Sequence, residues 1–278
     1  MTTLAILLTT YNSEKYLEAQ MDSLISQTYK DWRLYIHDDG SSDKTLSIID
    51  RYKQKDSRIH LLYDDTSRGA RDSFMWLLEQ VESDLYMFCD HDDVWLPSKI
   101  EQSIRLMEQQ QDRLSVPIIV CTDAKFVDKD LKIRSESFWR ERCHRKWMFN
   151  NKWYHLYYNN VIGCTMLFNR IARDQALPYP HNTQMHDSWL AASVLWKGGR
   201  IIPIDEPLIL YRQHGGNTIG APERPSLIQQ VGNSANLWTK TCTQHSASKP
   251  LTRIPFILFF FIKVIFLLEE HIRVWWNK

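Results

Sequence analysis

The chain has 278 residues, 44% of them apolar and 24% charged, with a net charge of +1. That length suits one large domain or one domain with appendages, and that balance suits a folded globular protein. A near-neutral charge supplies no global field for nucleic acid, and five widely spaced cysteines without a C-x-x-C pair argue against a disulfide framework and a zinc site.

In chain order, Leu4 to Leu8 reads as a buried strand ending at Thr9-Thr10-Tyr11-Asn12. It is too short for a secretory signal, which predicts a reducing cytoplasm. Leu17, Met21, Leu24 and Ile25 follow at helical spacing. Trp32 to Ile36 is a second strand, ending in Asp38-Asp39-Gly40, and Asp43 is placed to cap a helix with inner face Leu46, Ile49 and Tyr52. Ile59 to Tyr63 is a third strand, followed by a helix bearing Phe74, Leu77, Leu78 and Val81. Leu85 to Cys89 is a fourth strand, and the acidic cluster Asp90-His91-Asp92-Asp93 follows it. Pro97 then starts a helix lined by Ile100, Ile104 and Met107, and Pro117 to Thr122 is a fifth strand.

This alternation predicts an α/β fold: a mostly parallel twisted sheet with helices on both faces and ligands at the carboxyl ends of the strands. The second half is less regular. Val127 to Ile133 reads as a hairpin around Asp128-Lys129-Asp130, and Trp139 to Tyr158 mixes aromatic rings with Arg and Lys. Gly163 to Phe168 reads as a strand, Ser188 to Trp196 as a helix, and Arg200 to Arg212 as two short strands split by Asp205-Glu206-Pro207.

The end of the chain changes character and predicts a helical appendage. Ile254 to Leu268 is almost wholly apolar. As a helix it spans about 22 Å, short of the roughly 30 Å hydrocarbon core. Lys263, Glu270 and Asn277 recur at sevenfold spacing beside Arg273, with Phe256, Phe259, Phe260, Phe266 and Trp275 around them. That pattern suits a helix lying in the membrane interface rather than crossing it, with a buried or dimer-forming helix as the alternative.

Four places carry candidate chemistry. Asp90 and Asp92 flank His91 at a strand end, where carboxylates suit Mn²⁺ or Mg²⁺ and the diphosphate such an ion carries; a solvated acidic turn is the plainer alternative. Asp39 can accept a hydrogen bond from a base imide, with Thr10, Tyr11 and Asn12 beside it, although Asp-Gly-Ser-Ser-Asp is also ordinary turn chemistry. Asp187, after His186, is equally a general base or a helix N-cap. Arg212 and His214, before Gly215-Gly216-Asn217, offer a phosphate ligand and a metal ligand, and Arg68 and Arg71 are further phosphate candidates. Neither a P-loop nor a dinucleotide fingerprint is present.

Leu7-Leu8-Thr9-Thr10-Tyr11-Asn12, Asp38-Asp39-Gly40-Ser41-Ser42-Asp43 and Asp90-His91-Asp92-Asp93-Val94-Trp95, in that order, resemble the family 2 glycosyltransferases of GT-A fold. His186-Asp187-Ser188-Trp189-Leu190-Ala191 and Tyr211-Arg212-Gln213-His214-Gly215 look like its rhamnosyltransferase-like bacterial branch. The resemblance covers residues 3–215. It divides the chain into a GT-A domain at 1–215, with a nucleotide-sugar half at 1–122 and an acceptor half at 123–215, and a helical extension at 216–278.

The resemblance implies inverting, metal-dependent transfer of a single sugar from dTDP-rhamnose or a UDP-hexose. The acceptor it implies is a glycan, lipid-linked, in bacterial surface polysaccharide synthesis (O-antigen or capsule), at the inner face of the cytoplasmic membrane. By the same resemblance Thr10, Tyr11 and Asp39 meet the nucleotide, Asp92 is the main ligand of Mn²⁺ or Mg²⁺ with Asp90 beside it, and Asp187 is the base. On their own chemistry Asn12, Arg71 and Asp90 join the nucleotide-sugar candidates and His214 the metal ligands. His186 departs from the Glu-Asp pattern common there. The aromatic and basic stretch Trp139 to Tyr158 is the candidate acceptor region, with a plain surface subdomain as the alternative. A sugar-1-phosphate nucleotidyltransferase and a non-catalytic glycan-binding relative are the rival functions.

Overall fold

A computed structural model describes residues 2–64, 66–180, 185–214 and 234–276. Four strands form the parallel half of the sheet: β1 (Leu4–Thr10), β2 (Arg33–Asp38), β3 (Ile59–Leu61) and β4 (Leu85–Asp90). β1 is buried throughout and pairs in parallel with β2 and β4, while β3 pairs with β2. Successive side chains on a strand point to opposite faces, so each central strand feeds two cores. Leu4, Ile6 and Leu8 join one, and Ala5 and Leu7 the other.

Helices α1 (Leu17–Ile25), α2 (Thr45–Lys55) and α4 (Lys99–Glu108) cover the first face, and α3 (Ala70–Gln80) the second. Their buried residues recur three and four apart, as an amphipathic helix requires: Met21 and Leu24, Ile49 and Tyr52, Ile100, Ile104 and Met107. The N-cap position of α2 belongs to Lys44, so Asp43 is not the expected cap, although it accepts from the Thr45 amide at 2.9 Å. Leu46 is exposed, and Ile48 joins Ile49 and Tyr52 on the inner face in its place.

The second half adds β5 (Val94–Trp95), β6 (Ile118–Val127), β7 (Ile133–Ser135), β8 (Met166–Asn169) and β9 (Arg200–Arg212). The sheet order is β3-β2-β1-β4-β8-β6-β9-β5, with β7 paired to β6. Six of the nine strands run one way, and β5, β7 and β8 run against them. β6 and β7 form the hairpin around Asp128 to Asp130.

Three expectations change. Gly163 to Thr165 is a 3₁₀ turn, so that strand starts at Met166. The helix expected from Ser188 begins at His186. Arg200 to Arg212 is one strand, not two, because β6 supplies pairing partners along its length and register shifts near Asp123 absorb Asp205-Glu206-Pro207.

Short helices α5 (Phe138–Glu141) and α6 (Lys146–Phe149), a 3₁₀ turn at Tyr154–Leu156, and α7 (Arg170–Ala176) link these strands. Helix α8 (His186–Trp196) packs under the sheet on the α3 side, and α9 (Ser234–Ser248) and α10 (Phe256–Trp276) close the chain. Phe259 of α10 forms a small third core with Leu156 and Tyr157, and the Tyr157 hydroxyl donates to the Phe259 carbonyl at 2.8 Å.

Lys263, the one member of the polar row Lys263, Glu270 and Asn277 whose side chain is described, does not face outward. Lys263 is buried, and its ammonium donates to Thr241 Oγ1 at 2.9 Å and Gln244 Oε1 at 2.6 Å, because a buried charge must be hydrogen-bonded. The outer face is apolar instead: Ile257, Leu258, Phe261, Ile265 and Leu268 are exposed. The side chains of Glu270, Arg273, Trp275 and Asn277 lie outside the described residues, as do Gly215, Gly216 and Asn217. No helix among the described residues is long and apolar enough to cross a membrane.

Candidate active site

The carboxyl ends of β1, β2 and β4, the β6–β7 hairpin, the end of β9 and the start of α8 surround a cavity of about 1020 Å³. A parallel sheet collects ligands at this end because its strands stop there and expose loop groups and helix N-termini. Thr10, Tyr11, Asn12, Asp39, Asp90, Asp92, Asp187 and His214 all line it. Residues as far apart in sequence as Thr10 and His214 thus share one space.

At the β1 and β2 end, polar groups are engaged with one another. The Thr10 hydroxyl donates to Asp38 Oδ1 at 2.6 Å, and Asp38 Oδ2 accepts from the Ser41 amide at 2.8 Å. Asn12, at a positive φ of 47°, accepts from the Ser42 amide through Oδ1 at 2.9 Å. Asp39 binds the loop before α3: it accepts from the Arg68 and Gly69 amides at 2.5 and 2.9 Å, and from the hydroxyls of Ser67 and Ser73. Asp39 was expected to meet a base. Here it also shapes the loop that lies over it. Tyr11, by contrast, is 58% exposed at the rim.

Arg71 stands apart from the other expected nucleotide-sugar residues. It does not line the cavity, because the carboxylate of its neighbour Asp72 chelates its guanidinium at 2.6 and 3.0 Å. Arg68 is likewise paired with Asp64 and lies over the Trp76 ring. Arg212 is buried rather than offered to phosphate: it donates to the carbonyls of Asp92 at 2.6 Å and Lys129 at 2.7 Å, and lies over the Tyr16 ring. It holds the acidic turn in shape.

Within that turn the residues divide. Asp92 Oδ2 lies 2.8 Å from His214 Nε2, on the cavity wall. Asp90, Asp93 and Cys164 present their ligand atoms within 4.8 Å of one another behind it. Asp93 is no loose turn residue: it is fully buried and accepts from the Arg212 amide at 3.0 Å. Burial, with Asp92 and Asp187 adding like charge, pushes the Asp90 carboxyl up to about 7. Burial also lifts Asp93 and the Cys164 thiol well above their ordinary values. Cys164 therefore stays a thiol and serves as a donor to these carboxyls, not as a thiolate ligand.

Asp92 and His214 pair on the cavity wall, and carboxylate oxygen with imidazole nitrogen suits Mn²⁺. The ligand atoms that lie within 4.8 Å of one another are those of Asp90, Asp93 and Cys164, so the expected trio Asp90, Asp92 and His214 is not drawn together as one ligand group among the described residues. Lys99 is a feature with no sequence signal. It resembles a surface residue of a first helical turn, yet it is fully buried, with Nζ 3.7 Å from the Trp95 ring centroid, and burial lowers it to about 8.

Asp187 occupies the first turn of α8 and is buried. Oδ2 accepts from the Gly163 amide at 3.1 Å and Oδ1 from the Ser188 amide at 2.6 Å. Burial still raises its carboxyl to about 6, as a general base working near neutral pH requires. The N-cap position belongs to Met185, so Asp187 is not the cap.

Sequence reasoning passed over the cations that face the cavity, Lys15, Lys129 and Arg134. Lys129 and Arg134 come from the β6–β7 hairpin, which the sequence located without tying it to the site. No residue of the stretch Trp139 to Tyr158, expected to receive the acceptor, lines this cavity. Its rings pack on each other, on Trp196 and on α10.

A family model for glycosyl transferase family 2 matches residues 5–175. The chain is a family 2 glycosyltransferase. An Escherichia coli relative, UDP-Glc:alpha-D-GlcNAc-diphosphoundecaprenol beta-1,3-glucosyltransferase WfaP, is 27% identical over 227 residues, 81% of this chain and 83% of its own length. Among solved structures, S. aureus TarS 1-349 with UDP-GlcNAc superposes with a TM-score of 0.61 at 17% identity, covering 80% of this chain and 62% of that one. The mannosyltransferase PcManGT from Pyrobaculum calidifontis, in complex with GDP-Man and Mn²⁺, has a TM-score of 0.60 at 14% identity, covering 98% and 82%. The transferase therefore has the GT-A fold, and the family match sets aside the nucleotidyltransferase and the non-catalytic reading. Asp187 lies beyond the matched residues, so its role rests on geometry.

Proposed function

We propose that the enzyme transfers one hexose, with inversion, from a UDP-sugar to a hydroxyl of a lipid-diphosphate-linked glycan during bacterial surface polysaccharide synthesis. One observation carries the reading. A buried carboxylate tuned to about 6, Asp187, shares a cavity with the Asp92–His214 pair at the carboxyl ends of β4 and β9. A base and a diphosphate site on one cavity match displacement at an anomeric carbon held between them.

In this reading the nucleotide lies along Thr10, Tyr11, Asn12 and Asp39, with Arg71 left out. Asp92, with Asp90 and His214 near it, would hold a divalent cation, which would offset the charge of the departing diphosphate. Asp187 takes the proton of the acceptor hydroxyl as its oxygen bonds to the anomeric carbon, and the bond to the diphosphate oxygen breaks. Lys15 and Lys129 bring positive charge to the cavity, where Arg134 is paired with Asp128 at 2.6 Å. Residues 1–122 supply most donor contacts, and residues 123–215 supply the base and the hairpin.

The E. coli relative's named donor favours UDP-glucose or another UDP-hexose over dTDP-rhamnose, and its named acceptor favours a GlcNAc-diphospholipid. The extension 216–278 brings the enzyme to the inner face of the membrane. The apolar row Ile257, Leu258, Phe261, Ile265 and Leu268 faces outward, with the exposed Trp238 nearby on α9, as an interfacial helix requires.

Thermal shift with UDP-glucose, UDP-galactose, UDP-GlcNAc and dTDP-rhamnose, each with Mn²⁺ or Mg²⁺, followed by transfer to a synthetic GlcNAc-α-diphospholipid, tests the reading. A UDP-hexose is expected to stabilise most and to turn over. Stabilisation by dTDP-rhamnose alone overturns the donor. The triple variant Ile257→Ser, Phe261→Ser, Ile265→Ser is expected to lose binding to anionic vesicles. Unchanged vesicle binding removes the membrane role.

A further inference from the structure

His186 opens α8 beside Asp187, and the mechanism above gives it no task. It is 5% exposed, lines the cavity, and neither ring nitrogen has a hydrogen-bond partner among the described residues. The ring is locked in place. It stacks on Phe74 at 4.2 Å and meets Phe88 edge-on at 4.7 Å. Gly163 makes room for it, since a Cβ there would stand 2.7 Å from His186 Nε2 and 3.5 Å from Asp187 Cβ. The glycine whose amide binds Asp187 is thus also the wall against which His186 rests.

Buried polar atoms are nearly always hydrogen-bonded, and those that are not call for a ligand or another account. A neutral imidazole presents one donor and one acceptor, the same pairing a hydroxyl offers. Burial holds this imidazole neutral, pushing it down to about 3. A carboxylate in its place could only accept, and would add a negative charge beside Asp187.

We propose that His186 is a specificity residue that hydrogen-bonds a hydroxyl of the donor hexose at the floor of the cavity. This rests on the reading of the cavity as a nucleotide-sugar site. The donor is assigned over the acceptor because the ring lies deep, against Phe74 and Phe88, where the more enclosed substrate must reach.

The test compares affinity for UDP with affinity for each of UDP-glucose, UDP-galactose and UDP-GlcNAc by calorimetry, in wild type, His186→Phe and His186→Gln. At least one sugar is expected to strengthen binding over UDP in wild type. His186→Phe is expected to lose about tenfold of that gain while UDP affinity stays unchanged, which also shows that the variant folds. His186→Gln, with an amide donor and acceptor, is expected to recover part of it. The ring nitrogens of His186 are expected to shift in ¹⁵N NMR with the sugar nucleotide and not with UDP. A full sugar gain in His186→Phe, or no sugar gain in wild type, overturns the proposal. Asp187→Asn separates the two readings. If that variant still turns over, the base assignment fails while the His186 binding result stands. If UDP itself does not bind, the nucleotide-sugar reading fails and His186 falls with it.

Discussion

At the end of β2, Asp38 and Asp39 are surrounded by donors: backbone amides of Ser41, Arg68 and Gly69, and hydroxyls of Thr10, Ser41, Ser67 and Ser73. At the end of β4 and the start of α8, Asp90 and Asp187 are raised to about 7 and about 6 by burial, with like charge adding to Asp90. One strand end uses its carboxylates to order loops. The other keeps carboxylates at a cost that only a cation or a proton relieves, as functional sites commonly do.

Exchanging charge for shape should therefore act in opposite directions at the two ends. The largest effect is expected from Asp187→Asn: kcat falls about 10³-fold through loss of the base. The same change is expected to raise the melting temperature of the free enzyme at pH 7.5. A carboxyl raised from 3.8 to about 6 favours the protonated fold, so its stabilisation is present at low pH and lost as pH rises through about 6. At pH 7.5 the buried charge costs about 3 kcal/mol. Asn removes it but gives up one amide bond at a smaller cost, because its NH₂ cannot accept as each carboxylate oxygen does from Gly163 or Ser188. A destabilised Asp187→Asn would break the comparison.

Asp92→Asn comes next, with an expected loss of about 10² in kcat/KM and loss of the metal dependence of UDP binding, read by calorimetry with and without Mn²⁺. Asp39→Ala should go the other way in stability. It strands the Arg68 and Gly69 amides and is expected to destabilise by about 1–3 kcal/mol in urea unfolding, with weaker UDP binding. An Asp39→Ala protein as stable as wild type would erase the contrast. The smallest effect is the pH profile: below about 6, kcat is expected to fall roughly tenfold per pH unit as Asp187 takes up its proton. An acid limb that persists unchanged in Asp187→Asn assigns it to another group.

The parallel half was legible because each strand and helix there buries a repeating pattern. Leu4 to Leu8 and Leu85 to Cys89 alternate between two cores, and Ile100, Ile104 and Met107 keep helical spacing. Beyond Val127 the pattern fails for identifiable reasons. β9 continues through Asp205-Glu206-Pro207 because a partner strand tolerates shifts, which no local window reveals. Lys263 marks a polar stripe in sequence and a buried bond to Thr241 in space. Arg71 reads as a phosphate ligand until Asp72, one residue on, is seen to hold it.

By itself the sequence determined the alternating α/β half, the acidic turn at the end of β4 and the family. Those follow from local periodicity and from residue types at fixed spacing. Tertiary structure alone decided which carboxylates are hungry and which are satisfied. That distinction depends on the donors and the burial supplied by segments far away in the chain. Asp187 faces the Asp92 site only because β9 brings His214 back beside Asp92 and Gly163 meets the start of α8.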